Sequence, residues 1–238
     1  MPIIRNIGPP SIYFPSRRKA SGAAPDALMI QGFATGGRAM EWIGSHLERA
    51  GVSTAVPPSG GILGYLQTKR VAHAGAKVAK ALRSFEGTGR VWLIGHSIGG
   101  LISRYAVQAE DTADRVAGVI TIGTPHRGTV IAAPAIAAGL WMASRAPFDV
   151  LPRSKLISDL NLRPWPEDIP LISIYSPTDL LCLHPAGKVP FEHQYEHVNN
   201  LHFKGLGHTE LLWNRDVIDA ITAAILGRPD RRRQGESP

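Results

Sequence analysis

A chain of 238 residues, 44% of them hydrophobic, has the size and composition of one large α/β domain with room for a real core. Its single cysteine, Cys182, excludes an intramolecular disulfide, no leader reads as a signal peptide, and the longest apolar run, Val130 to Ser144, is too short to span a membrane and contains Pro134. The net charge is +7, but residues 1–20 and 228–238 carry six of those seven charges, so the body is nearly neutral. A soluble protein with the cytoplasm as default location is expected. No basic surface interleaved with aromatics appears, so nucleic acid is not an expected partner; the basic ends are compatible with weak attraction to an anionic membrane surface.

In chain order, a Pro/Ser-rich lead holds one short strand candidate, Ser11 to Phe14. Asp26 to Gln31 reads as a buried strand that ends in Gly32-Phe33-Ala34-Thr35-Gly36-Gly37. A helix follows over Arg38 to Ala50, with Met40, Ile43 and Leu47 on one face and Gly51 as its stop. Val52 to Val56 is a β-branched strand, and Tyr65 to Phe85 a second helix. Val91 to Ile94 is a short apolar strand, turning sharply through Gly95-His96-Ser97-Ile98-Gly99 into a helix over Leu101 to Gln108. Further strands are expected at Val116 to Ile122, Pro170 to Tyr175 and Asn200 to Lys204, with a last helix over Glu210 to Leu226. Strands alternating with helices along the whole chain imply a mostly parallel sheet covered on both faces. The organisation expected is a lead over 1–25, one domain over 26–226 interrupted by an Ala/Ile/Pro-rich insertion at about 126–168, and a disordered basic tail over 227–238.

Gly-x-Ser-x-Gly between strand and helix is the pattern of a nucleophile elbow, in which the glycines let helix and strand approach while the serine stands strained and exposed. Among 25 glycines the pentapeptide alone could equally be a turn capping a helix. A serine nucleophile needs a base within hydrogen-bond reach and a group that orients the base. The strand ending Tyr175-Ser176-Pro177-Thr178-Asp179 puts Asp179 just past the sheet edge, where a turn residue would also fit. His208, between Gly207 and the last helix, follows the final strand, where a plain helix N-terminus would also be satisfied. The order Ser97, Asp179, His208, each at a strand end, favours the joint reading over three separate accidents. Backbone N–H groups of Ile98 and Phe33 are the candidate donors for an oxyanion. His202 lies within a strand and is expected to pack. Glu192, His193, Glu196 and His197 lack a well-spaced third ligand, so neither metal nor cofactor is expected.

G-H-S-I-G-G, G-T-P-H-R-G-T, Y-S-P-T-D and G-L-G-H-T-E-L-L together resemble bacterial lipases and esterases of the α/β-hydrolase superfamily, over about Asp26 to Leu226. The resemblance implies the α/β-hydrolase fold and cofactor-free hydrolysis of carboxylic esters through Ser97, Asp179 and His208. It also implies a lid or cap after Pro125 that ends in a short L-N element, to which S-K-L-I-S-D-L-N is similar. Such lipases carry His-Gly before the oxyanion residue where this chain has Gln31-Gly32, and many relatives are exported. Ile131, Ile136, Leu140 and Trp141 are candidates for an acyl pocket or lid, although a helix buried against the sheet would show the same composition. A small, lipid-like ester is therefore the expected partner. The same triad would also serve an acyltransferase or polyester depolymerase, and a non-catalytic binding module would keep the fold without needing the triad.

Overall fold

The computed structural model describes residues 23–33, 36–56, 70–137, 139 and 144–227. Six strands run β1 (Ala27–Ile30), β2 (Thr54–Ala55), β3 (Val91–His96), β4 (Val116–Ile122), β5 (Leu171–Tyr175) and β6 (Val198–His202). They form one sheet in the order β2-β1-β3-β4-β5-β6, and every neighbouring pair is parallel.

Parallel strands buried on both faces read as apolar runs, and side chains of alternate residues feed opposite cores. In β1, Leu28 and Ile30 enter one core while Ala27 and Met29 enter the other. In β4, Val116 and Val119 face the first core and Ile120 and Ile122 the second. The first face is covered by α2 (Val71–Ser84), α3 (Ile98–Ala109) and α6 (Lys155–Leu162), through Val78, Leu82, Leu101, Ile102, Ile157 and Leu160. The second is covered by α1 (Gly36–Arg49), α7 (Glu210–Trp213) and α8 (Arg215–Ile225), through Met40, Ile43, Leu47, Leu211 and Ile218. Helices therefore cover both faces, as the alternating elements implied.

Two helices differ from their sequence expectation. The described part of the second begins at Val71, and residues 57–69 lie outside the described set. The last one breaks at Asn214, which is extended (φ −75°, ψ 127°) and whose side chain accepts the Val217 N–H at 3.2 Å, capping α8. The strand candidate at Ser11 to Phe14 and the basic tail from Arg228 also lie outside the described residues.

The region from His126 to Asp168 holds α4 (Ala132–Ala137), α5 (Ala146–Asp149) and α6. It is tied to the body at several points, two of them through carboxylates. Asp149 is 5% exposed and accepts the Val71 N–H at 2.8 Å and an Arg70 Nη1–H at 3.1 Å, so a carboxylate distant in sequence caps the first turn of α2. At the far end, Arg90 Nη2–H donates to Asp168 Oδ2 at 2.9 Å, while within the region Ser154 caps α6 by accepting the Ile157 N–H at 3.2 Å.

Candidate active site

The strand order reverses direction between β1 and β3, and a parallel sheet opens a crevice at the carboxyl ends of its strands where such a reversal falls. The loop after β1 is Gln31-Gly32-Phe33 and the residue after β3 is Ser97, so topology alone brings them together. Their approach is close: a methyl group on Gly32 would stand 2.9 Å from Ser97 Cβ.

Ser97 has φ 54° and ψ −124°, a strained region for a residue with a side chain. The turn is held by its neighbours. Ser97 N–H donates to Ile122 O at 2.8 Å, continuing the β3–β4 ladder, and Thr124 Oγ1 donates to Ser97 O at 2.8 Å. The glycine after the serine is dictated by space, since a Cβ on Gly99 would lie 2.2 Å from Ile30 O. Helix α3 starts at Ile98, so its positive N-terminal end points at the crevice.

Asp179 and His208 meet on the same side of the sheet. His208 Nδ1–H donates to Asp179 Oδ2 at 2.7 Å, which leaves Nε2 as the acceptor nitrogen. The aspartate is 1% exposed, and its Oδ1 accepts the Leu181 and Cys182 N–H groups at 2.8 and 2.9 Å. Burial pushes its pKa up, but the His208 hydrogen bond and charge, with those two N–H groups, more than reverse this and hold it below the ordinary value. Gly123, at φ 56°, seats the pair: a Cβ there would lie 3.1 Å from His208 Nδ1 and 3.3 Å from Asp179 Oδ2.

His96, directly before the serine, joins the two halves of the site. It is fully buried, its ring centroid is 4.7 Å from that of His208, and its Nε2–H donates to His208 O at 3.3 Å. Its Nδ1 faces Gly32, 3.1 Å from where a Cβ would stand. Burial first, and His208 second, lower its pKa from 6.5 to about 3, so the ring is neutral.

G-T-P-H-R-G organises the neighbourhood. Gly123 and Thr124 have the roles above, and His126 lies in a second buried node. Arg104 on α3 is fully buried; it donates to His126 Nδ1 at 3.2 Å, Asn161 Oδ1 at 3.1 Å, Leu160 O at 2.6 Å and Gln108 Oε1 at 3.1 Å, with its guanidinium 5.0 Å over the Phe191 ring. Burial lowers the Arg104 pKa to about 9, which still leaves it charged at neutral pH. With Nδ1 accepting, His126 is neutral and its Nε2–H donates to Thr121 Oγ1 at 2.9 Å. The L-N pair read from the sequence, Leu160-Asn161, is thus what Arg104 grips.

Of the remaining candidates, Ile98 is buried and Phe33 partly buried against the first core. Ile131 is 39% exposed, Ile136 is half-buried on α4, and Leu140 and Trp141 lie outside the described residues. His202 corrects its expectation: it ends the edge strand β6 and is exposed, its ring 6.3 Å from that of Tyr175. Glu192 is engaged by the Asn200 N–H and side-chain amide at 2.8 and 2.6 Å, and His197 Nε2–H donates to Pro166 O at 3.0 Å. Sequence reasoning missed His96, Gly123 and Arg104. The signal for Arg104 was an arginine on the apolar run of α3, a position that demands buried partners.

The two neutral buried histidines make stability fall in acid. Burial, then Arg104 and Arg127, hold the His126 pKa well below 6.5, and His96 stands at about 3. Both groups titrate below an unfolded histidine, and for His96 the unfolded chain binds between pH 6.5 and about 3 a proton that the folded chain refuses. Stability is complete above this window and is lost on descending through it, by about 1.4 kcal/mol per pH unit for His96, and His126 acts in the same direction. Urea unfolding midpoints at pH 7.5 and 5.5 should differ accordingly. A midpoint that holds constant until carboxylates titrate would contradict it.

Residues 63–143 match the family model described as PGAP1-like alpha/beta domain. A GPI inositol-deacylase of Candida albicans is 29% identical over 140 residues, which cover 57% of this chain and 29% of that protein. A triacylglycerol lipase of Pseudarthrobacter phenanthrenivorans is 51% identical over 53 residues, covering 22% of this chain and 16% of the relative. The chain thus spans less than a third of the length of these relatives. Among solved structures, the mature form of a Bacillus licheniformis lipase superposes with TM-score 0.67 at 16% identity, covering 85% of this chain and 92% of that one, a likeness of fold. The chain has the α/β-hydrolase fold, with its mostly parallel sheet and helices on both faces.

Proposed function

We propose that the protein is a serine carboxylic-ester hydrolase acting on esters of apolar acids. The observation that carries this reading is the Asp179–His208 hydrogen bond of 2.7 Å, in a ring packed against the residue that precedes a strained elbow serine. Ser97 Oγ attacks the ester carbonyl carbon as His208 Nε2 takes its proton. The oxyanion accepts hydrogen bonds from the N–H groups of Ile98 and Phe33 at the positive end of α3. The imidazolium, stabilised by Asp179, returns the proton to the departing alcohol and leaves an acyl-serine. A water then attacks that acyl carbon, its proton passing to His208 and on to Ser97 as the acid is released. No step requires a cofactor or metal.

The names of the two relatives, a deacylase and a lipase, support an acyl ester as the bond cleaved. The exposed Val130 and Ile131 and the half-buried Ile136 support an apolar acyl group. The reading is tested with a fluorophosphonate probe and p-nitrophenyl esters from acetate to decanoate. The expected result is probe attached to Ser97 and kcat/KM rising with acyl length. A chain that neither labels nor turns over any of these esters is a binding module of the hydrolase fold.

A further inference from the structure

Arg104 is a cation without a counter-charge. It is fully buried, and its acceptors are all neutral: Gln108 Oε1, His126 Nδ1, Asn161 Oδ1 and Leu160 O. Among the described residues no carboxylate pairs with it. Burying a guanidinium in this way costs stability, and an apolar side chain of similar volume would fill the space with less penalty. None of its hydrogen bonds reaches Ser97, Asp179 or His208. The charge needs a reason other than packing, and its place on α3 supplies one.

Ser97 stands immediately before α3, and Arg104 lies on the same face about 10 Å further along the axis. The loop after β4 is fastened to both. At one end Thr124 Oγ1 donates to Ser97 O at 2.8 Å and lies against Gly100, where a Cβ would stand 2.1 Å from that oxygen. At the other end His126 Nδ1 accepts from Arg104 Nη1–H at 3.2 Å. His126 passes this constraint to the backbone. Its N–H donates to Thr124 O at 2.9 Å, and its carbonyl accepts an Asn161 Nδ2–H at 2.9 Å. The segment so clamped begins at Gly123, the seat of the Asp179–His208 pair. One helix therefore carries the serine and also fixes the loop on which the acid and histidine rest. A strained backbone such as that of Ser97 persists only where its surroundings over-determine it.

We infer that Arg104 and Thr124 are positioning residues that set the elbow helix against the loop that seats His208. Arg104 acts through His126 and Thr124. The consequence for turnover rests on the ester-hydrolase reading; the clamp itself does not.

The test is steady-state hydrolysis of p-nitrophenyl acetate and decanoate by Arg104→Met, Thr124→Val and the double variant. Arg104→Met should lower kcat by about 10²-fold with KM unchanged within about twofold, the loss that a misplacement of about 1 Å brings. Thr124→Val is isosteric and removes one hydrogen bond; kcat should fall about tenfold, and Thr124→Ser should keep the parent value. Because both residues act on one contact, the double variant should lose about 10²-fold and not the product of about 10³-fold. Arg104→Lys keeps the charge and most of the volume should Arg104→Met fail to fold. A single ammonium cannot hold the acceptors of the planar fork, so kcat should still fall about tenfold. Leu47→Ala, buried in the core on the opposite face of the sheet, should lower the unfolding temperature and leave kcat unchanged. The far-downfield proton NMR signal of His208 Nδ1–H on Asp179 should shift in Arg104→Met and Thr124→Val, and stay in place in Leu47→Ala. Undiminished kcat in the Arg104 variants, additivity in the double variant, or an equal loss of kcat in Leu47→Ala overturns the proposal. So does a KM that rises for decanoate alone with kcat intact, which would make Arg104 an anchor of α6 only. A parent that turns over no ester sinks the enzymatic reading, and the NMR signal then decides the positioning by itself.

Discussion

Replacement of Ser97 by alanine is expected to lower turnover of short p-nitrophenyl esters by about 10⁵- to 10⁶-fold and to abolish fluorophosphonate labelling. The change removes one oxygen and leaves the elbow where it was. The turn is held by the Ser97 N–H bond to Ile122 O and by Thr124 Oγ1 on Ser97 O, both of which use main-chain atoms. The unfolding temperature should therefore stay within a few degrees of the parent, and circular dichroism should be unchanged. Undiminished turnover in this variant would place the nucleophile elsewhere.

Asp179→Asn should cost about 10⁴-fold in kcat with little change in KM. The amide oxygen can still accept from Leu181 and Cys182, so the loop keeps its shape. The amide nitrogen, however, replaces Oδ2 and donates to His208 Nδ1. The proton then moves to Nε2, and the histidine can no longer accept from the serine. Other acids are engaged elsewhere: Asp149 with Arg70 at 3.1 Å, Asp159 with Lys155 at 2.8 Å and Asp168 with Arg90 at 2.9 Å. A loss of less than tenfold in Asp179→Asn, or a comparable loss in Asp159→Asn or Asp168→Asn, would reassign the acid.

The strands were readable because apolar and β-branched runs between turn residues leave few alternatives; Val116 to Ile122 matches its expected limits in full. The helix boundaries were less so. Asn214 sits inside a periodic apolar pattern, and only its extended backbone and its bond to Val217 reveal two helices there. His202 was misjudged because alternation along a strand does not say that the strand lies at the sheet edge. That depends on which strands pair, which is a long-range matter.

The sequence by itself determined the local chemistry: a serine in a Gly-x-Ser-x-Gly turn, an acid and a histidine past successive strands, and glycines where no side chain fits. Local sterics and chain order suffice for those. Only the tertiary structure decided which groups touch. The 2.7 Å bond between Asp179 and His208, the room Gly123 makes for it and the His96 ring between His208 and Gly32 all arise from strands adjacent in space and distant in sequence. Arg104 needed the same information, because a buried cation is tolerable only where His126, Leu160, Asn161 and Phe191 converge on it. Burial and charge depend on the complete packing around an atom, and no local window of sequence contains that.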